Sequence, residues 1–308
     1  MTQTQASPAA RPQGGFGAPF SALVVGALAM GISPIFVRLA DVGPFASAFW
    51  RVTLALPLLW AWLRIAEASE PSDGRIGRAD IFAGLAFAGD LFFWHLSIVT
   101  TSVANATFFA TCAPVWVVAF SWLLFGERAA FGTLAGIALC VAGGGALLAQ
   151  SFHLRPAAAI GDLYGVATGV FFGLYFIAVN AARRVHSAAR VTFVATVITA
   201  ALLLIVALAL DHTILPHTLR GVGALVGMAW ISHAGGQGLL SIALGRLPAA
   251  FSSLVIFLEA IAAASFAFLL LGEPVSLVQG LGGLLILAGI YVARPTPAAP
   301  VGAAAERG

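Results

Sequence analysis

Apolar residues fall in ten runs of roughly twenty, parted by short stretches that hold most of the charges and many of the prolines. A run of that length crosses about 30 Å of hydrocarbon as an α-helix, so each reads as a membrane span. The first five cover 20–39, 44–63, 81–99, 103–125 and 130–149, and the second five cover 163–179, 191–210, 221–243, 249–271 and 276–292. The pattern predicts an all-α membrane protein of ten transmembrane helices.

The two sets of five resemble each other. A shift of 146 residues lays 119–143 on 265–289 with nine identities in 25, among them Gly136/Gly282, Gly143/Gly289 and the dipeptides Gly126-Glu127 and Gly272-Glu273. Arg51-Val52-Thr53 reads in the same way against Arg190-Val191-Thr192. Five spans is an odd number, so the second copy inserts upside down, and two inverted five-helix repeats are an arrangement of secondary transporters. The expected division is a disordered tail at 1–17, a first repeat at 18–150, a second at 160–293 and a tail at 294–308.

Composition narrows the function. With 60% hydrophobic and 9% charged residues the chain is not a soluble globule, for which about 25% charged is usual. All 15 basic residues are arginine, and without lysine there is neither Schiff-base chemistry nor a lysine-based phosphate loop. The arginines are scattered at helix ends, which argues against a nucleic-acid surface despite the net charge of +3. Eleven fall on one side of the ten-span topology, three on the other (Arg38, Arg155, Arg220), and Arg51 sits just inside the second span. Basic residues collect on the cytoplasmic side, so both termini are expected there. Cys112 and Cys140 lie in apolar runs with no metal-ligand spacing around them, and no metal or cofactor is expected.

Polar residues inside the spans are the candidates for chemistry. An ionised carboxylate at the bilayer centre costs about 2.5 to 3.5 kcal/mol, and Asp90 and Glu259 both fall near mid-depth, one in each half. Each reads as a contact for a substrate amine or as a proton-coupling site, against the alternative of tying helices together. Trp94 and Ser97 share the face of Asp90, whereas His95 points about 140° away, toward a neighbouring helix. Trp230, His233, Gln237 and Ser241 form a polar stripe on span eight, and Gly235 and Gly236 within it weaken the helix. Asn105, Thr107, Thr111, Ser33-Pro34 and Tyr175 are weaker candidates. Glu127 and Glu273, at span ends, and the helix-breaking Pro34 and Pro114 read as gating or structural residues. Gly161, Gly165, Gly169 and Gly173 form a helix-contact ladder.

These features together resemble the EamA-type drug/metabolite transporters: ten spans in two inverted halves, the segment Ser102-Val103-Ala104-Asn105-Ala106-Thr107, Pro114 before Gly126-Glu127, and Pro248-Ala249-Ala250 before Gly272-Glu273-Pro274. The resemblance implies a carrier of the bacterial inner membrane, often an exporter of amino acids. Its central cavity would be lined by spans one, three, four, six, eight and nine, including Asp90, Trp94, Asn105, Tyr175, Trp230, His233, Gln237 and Glu259. Where the family's ninth span often has a proline matching Pro114, this chain has Ala260 after Glu259, which leaves no proline to break that helix. The expected partners are a small-molecule substrate and the lipid bilayer, with aromatic amino acids one branch and other metabolites or organic cations the alternative. An intramembrane enzyme using Asp90 and Glu259 is disfavoured, because Phe87-Ala88-Gly89-Asp90 departs from a Gly-x-Gly-Asp pattern.

Overall fold

The computed structural model describes residues 16–69, 75–101, 103–148, 159–271 and 275–295. Most of both expected tails, the 149–158 connection and Glu273 with its neighbours lie outside them. Among the described residues all regular structure is helical, and the helices make ten antiparallel spans. Seven of these are long and apolar enough to cross a membrane: Gly17–Leu39, Pro44–Ser69, Arg78–Thr100, Asn105–Phe125, Ala159–Ala182, Ala188–Leu210 and Ala249–Leu270. Spans five (Phe131–Leu148) and ten (Leu277–Val292) are shorter, and span eight is made of three helical pieces.

Several spans are broken, for identifiable reasons. Pro34, Pro57 and Pro114 lack an N–H for the helix ladder. Span one accordingly divides into Gly17–Met30 and Ser33–Leu39, span two into Pro44–Thr53 and Leu56–Ser69, and span four into Val103–Thr111 and Ala113–Phe125. Span nine divides as well, into Ala249–Val255 and Leu258–Leu271, with no proline. There the backbone tightens, with Ile256 and Phe257 donating three residues back to Ser253 and Leu254 (3.2 Å each) and Glu259 to Ile256 (2.8 Å). Span eight widens where a break was expected: Met228–Gln237 is a π-helix between Leu219–Gly227 and Gly238–Leu244. Its Gly236 lies against span one, where an added Cβ would come within 2.5 Å of Met30.

The halves interleave. Span three packs on span six, one on eight, four on six and nine, two on seven, and five on ten, each pair joining the first repeat to the second. The glycine ladder of span six receives the end of span three and span four: a Cβ on Gly169 would stand 2.6 Å from the Phe109 carbonyl. Spans five and ten cross on the axis relating the repeats. A Cβ on Gly136 would meet Gly289 O at 2.6 Å and one on Gly289 would meet Gly136 O at 2.7 Å, while Gly143 and Gly282 face each other's carbonyls at 2.6 Å. The repeat-matched glycines therefore meet crosswise. Gly126 at the end of span four takes φ 68, and the N–H groups of Gly126 and Glu127 close back on Trp122 and Ser121, which explains the glycine at that helix end.

Both ends of the bundle are tied. At the end with few arginines, Asp41 accepts from the N–H groups of His217 (3.0 Å) and Thr218 (2.7 Å), and Asp211 accepts from Ala46 N (2.5 Å). Each carboxylate lies on a glycine of the other half, Asp41 on Gly221 and Asp211 on Gly43, where a Cβ would collide with it. At the arginine-rich end His186 Nδ1 stands 2.7 Å from buried Asp80, and Arg190 donates to Glu67 (3.4 Å) and Arg75 O (2.7 Å). Arg190 therefore lies at the mouth of the bundle while Arg51 lies well inside span two, so the sequence match between them does not mark equivalent depths.

Two predictions follow from this packing. Gly289→Leu forces a side chain onto Cys140 Sγ and Gly136 O, which stand 2.6 and 2.7 Å from the Cβ position, whereas Gly280 has open space around it. Overpacking of this kind costs about 1–3 kcal/mol or more. A clear fall in the detergent melting temperature is expected for Gly289→Leu and none for Gly280→Leu. The second concerns Asp41, which lies outside the spans. Partial burial pushes its pKa up, but hydrogen bonds from the Thr218 side chain and from His217 and Thr218 backbone outweigh this and hold it below the ordinary 3.8. A depressed carboxyl stabilises the fold above its ordinary pKa and loses that contribution as pH falls through the lowered value. Melting curves taken through that acid range should show the wild type losing its advantage over Asp41→Asn as pH drops.

Candidate functional site

The helix breaks converge on the middle of the bundle. A cavity of about 50 Å³ there is lined by Met30, Ser33 and Pro34 of span one, Arg51 of span two, and Phe87, Asp90, Leu91 and Trp94 of span three. Thr107, Ala110 and Thr111 of span four, Phe172 of span six, Gln237 of span eight and Glu259 of span nine complete the wall. Both repeats thus contribute, and the two mid-depth acids share one space.

Two of the three charges sit where the local backbone favours them. Arg51 is in the last turn of Pro44–Thr53, and Glu259 is in the first turn of Leu258–Leu271. A half-helix is negative at its C-terminal end and positive at its N-terminal end, so the cation and one anion are each matched to a helix terminus brought to mid-membrane by a break. Arg51 and Asp90 are 6% and 7% exposed. Arg51 interacts electrostatically with both Asp90 and Glu259, yet among the described residues it makes no ion pair within 4.0 Å; the pairs at that distance are His186–Asp80 and Arg190–Glu67. Buried polar atoms on this wall also lack a hydrogen-bond partner: Ser33 Oγ, Arg51 Nε and Gln237 Oε1. Gln237 Nε2 donates to Met30 Sδ at 3.3 Å.

Behind the wall lie the histidines and Tyr175. Thr196 Oγ1 donates to Thr192 O (2.7 Å), so His233 Nε2 donates to Thr196 (2.9 Å) and Nδ1 is left without a partner. His95 Nδ1 donates to Leu91 O of its own helix (2.7 Å) and its ring lies against Phe45 and Trp94. It points toward a neighbouring helix and contacts span two by packing on Phe45. Tyr175 packs on Phe87 with ring centroids 4.8 Å apart.

Of the eight expected lining residues, Asp90, Trp94, Gln237 and Glu259 are on the wall, Tyr175 and His233 stand behind it, and Asn105 and Trp230 lie elsewhere. Asn105 donates to Asp162 Oδ1 (2.8 Å), which also accepts from Thr101 (2.7 Å), so it ties span four to the start of span six. Trp230 is 51% exposed and donates to Leu54 O (3.1 Å) at the break in span two, occupying a carbonyl near the turn that Pro57 disrupts. Arg51 is the residue that sequence reading passed over. Its position seven residues into span two, at a depth where a lone charge is costly, was the available signal.

A second, wider space of about 390 Å³ opens toward the arginine-rich end, among Val118, Glu127, Arg128, Ile177, Arg184 and Pro248. Glu127 is on its rim. Val117, Phe176 and Leu254, each 0% exposed, belong to the packed core at depths between this vestibule and the inner cavity.

Comparison with known proteins is consistent across the chain. Residues 19–148 and 159–294 each match the model of the EamA-like transporter family. A protein of Archaeoglobus fulgidus described as an uncharacterized transporter is 27% identical over 281 residues, covering 89% of this chain and 95% of its own length. A Helicobacter pylori protein with the same description is 26% identical, covering 89% and 94%. A solved crystal structure superposes with a TM-score of 0.75 at 20% identity, covering 89% of this chain and 96% of the other, which shows a shared fold.

The charge balance generates a test. Removing Arg51 leaves two carboxylates on one small cavity without a cation, and breaking a buried charge arrangement from one side costs about 3–5 kcal/mol. Arg51→Gln is expected to melt well below wild type, and Arg51→Gln combined with Glu259→Gln to recover much of the loss. Additive effects in that double-mutant cycle would show that the two charges do not depend on each other.

Proposed function

The chain belongs to the EamA-like transporter family, and from that premise we propose that it is a secondary transporter that exports amino acids across a bacterial inner membrane through the cavity between its repeats. The observation that carries the reading is the convergence of Asp90 from the first half and Glu259 from the second on one space at the bundle centre. Two carboxylates suit a substrate ammonium, and Phe87, Trp94 and Phe172 offer it an apolar and aromatic wall. The arginine-rich end is taken as cytoplasmic, with both termini on that side.

Alternating access accounts for the two spaces. Liquid water takes about 30 Å³ per molecule, so about 50 Å³ is smaller than an amino acid and the site must widen to load. The vestibule is the route from the cytoplasmic side, and Val117, Phe176 and Leu254 are the layer that parts to connect it to the centre. Breaks in spans one, two, four and nine supply the hinges, and Glu127 belongs to the gate at the mouth. A proton is the reading for the coupling ion, held at the same acids. A second reading, export of organic cations, is favoured by the excess of one carboxylate over the single arginine.

Counterflow in proteoliposomes with labelled amino acids and organic cations tests this. Asp90→Asn and Glu259→Gln are each expected to cut flux at least roughly ten-fold, as loss of a charge-assisted bond does, while purified yield is kept. Imposed pH gradients should alter wild-type flux and leave the variants indifferent. Variants with wild-type kinetics and wild-type pH response would remove the acids from the transport site.

A further inference from the structure

We infer that Arg51 is the carboxylate anchor of this site, so that the substrate class is the zwitterion of an α-amino acid and not an organic cation. The inference rests on the reading of the central cavity as the transport site and decides between its two substrate classes.

Arg51 is 6% exposed inside a membrane span, its Nε has no hydrogen-bond partner, and no carboxylate approaches it within ion-pair distance even though Asp90 and Glu259 line the same cavity. A cation serving merely to neutralise those acids would be expected to fork onto one of them, since a bidentate contact is the strongest arrangement a guanidinium and a carboxylate can make. Here it faces the acids across a space. The wall of that space therefore carries both signs of charge: the guanidinium at the C-terminal end of one half-helix, Glu259 at the N-terminal end of another, and Asp90 between Phe87 and Trp94 on span three.

A ligand with an anionic and a cationic group on one carbon satisfies this layout. Its carboxylate takes the guanidinium fork, its ammonium takes Asp90 and Glu259, and its side chain is left to the wall of Phe87, Trp94 and Phe172. An amine without a carboxylate leaves Arg51 buried and unmatched, which is the physical basis for rejecting it. Ser33 Oγ and Gln237 Oε1, both buried on the wall and unpartnered, are further groups for the same polar head.

The test is counterflow by the wild type in proteoliposomes with each of the twenty amino acids, and then, for those carried, with the matching decarboxylated amine and the carboxamide. The proposal expects the amino acid to be carried and both analogues to fall by roughly ten-fold or more, the effect of losing one charge-assisted bond. Arg51→Lys keeps the charge but not the fork and is expected to raise KM for the amino acid with little change in folded yield. Arg51→Gln with Glu259→Gln restores the charge balance and is expected to carry the amine relative to the amino acid better than the wild type does. Equal wild-type flux of amino acid, amine and amide, or an unchanged KM in Arg51→Lys, overturns the assignment of Arg51 while leaving the cavity as the transport site. Failure of all twenty amino acids, or wild-type flux in Asp90→Asn and Glu259→Gln, overturns the underlying reading as well.

Discussion

Holding an arginine and two acids at the centre of a membrane-spanning bundle constrains much of this architecture. Each isolated charge there costs a few kcal/mol, and continuous helices would offer nothing to offset it. The chain answers by interrupting its spans. The break in span two places Arg51 at the negative end of a half-helix, and the break in span nine places Glu259 at a positive one. At the break in span two the carbonyl of Leu54 is taken up by Trp230 of the other repeat. The irregular backbone needed to seat the charges is also what allows the bundle to bend about them.

The interleaving of the halves follows from the same centre. Because the acids come from different repeats, the cavity requires span three against span six and span one against span eight, not two separate five-helix bundles. Small residues make those approaches close. The ladder on span six admits span four at backbone distance, and the π-helix of span eight widens where glycine lets span one come near. Gln237 reaches the cavity, while His233, four residues earlier, stands behind it on Thr196 of span seven.

The number of spans and their inversion were legible because they depend on simple quantities, the length of apolar runs and the side on which arginines fall. Asp90 and Glu259 were legible for a related reason: charge is so scarce that two acids at mid-depth stand out. Arg51 did not, because a charge within two turns of a span's start looks like an end marker until the break at Leu54 shows how the first half-helix lies. The break in span nine was hidden as well, since it is made by tightened backbone bonds among apolar residues and has no proline to announce it. Asn105 and Trp230 were misplaced because a polar side chain in a membrane is equally well served by a helix end or an exposed carbonyl as by a ligand, and sequence does not distinguish these partners.

The crossing of spans five and ten holds a record of how such a chain can arise. Gly136 meets Gly289 and Gly143 meets Gly282, so one ancestral surface is pressed against its own inverted copy. A surface that is self-complementary in this sense closes a contact between two separate polypeptides as readily as within one. A half-length chain inserting in both orientations would already possess that seam, and fusion of two copies would then free each to diverge, one carrying Asp90 and the other Glu259.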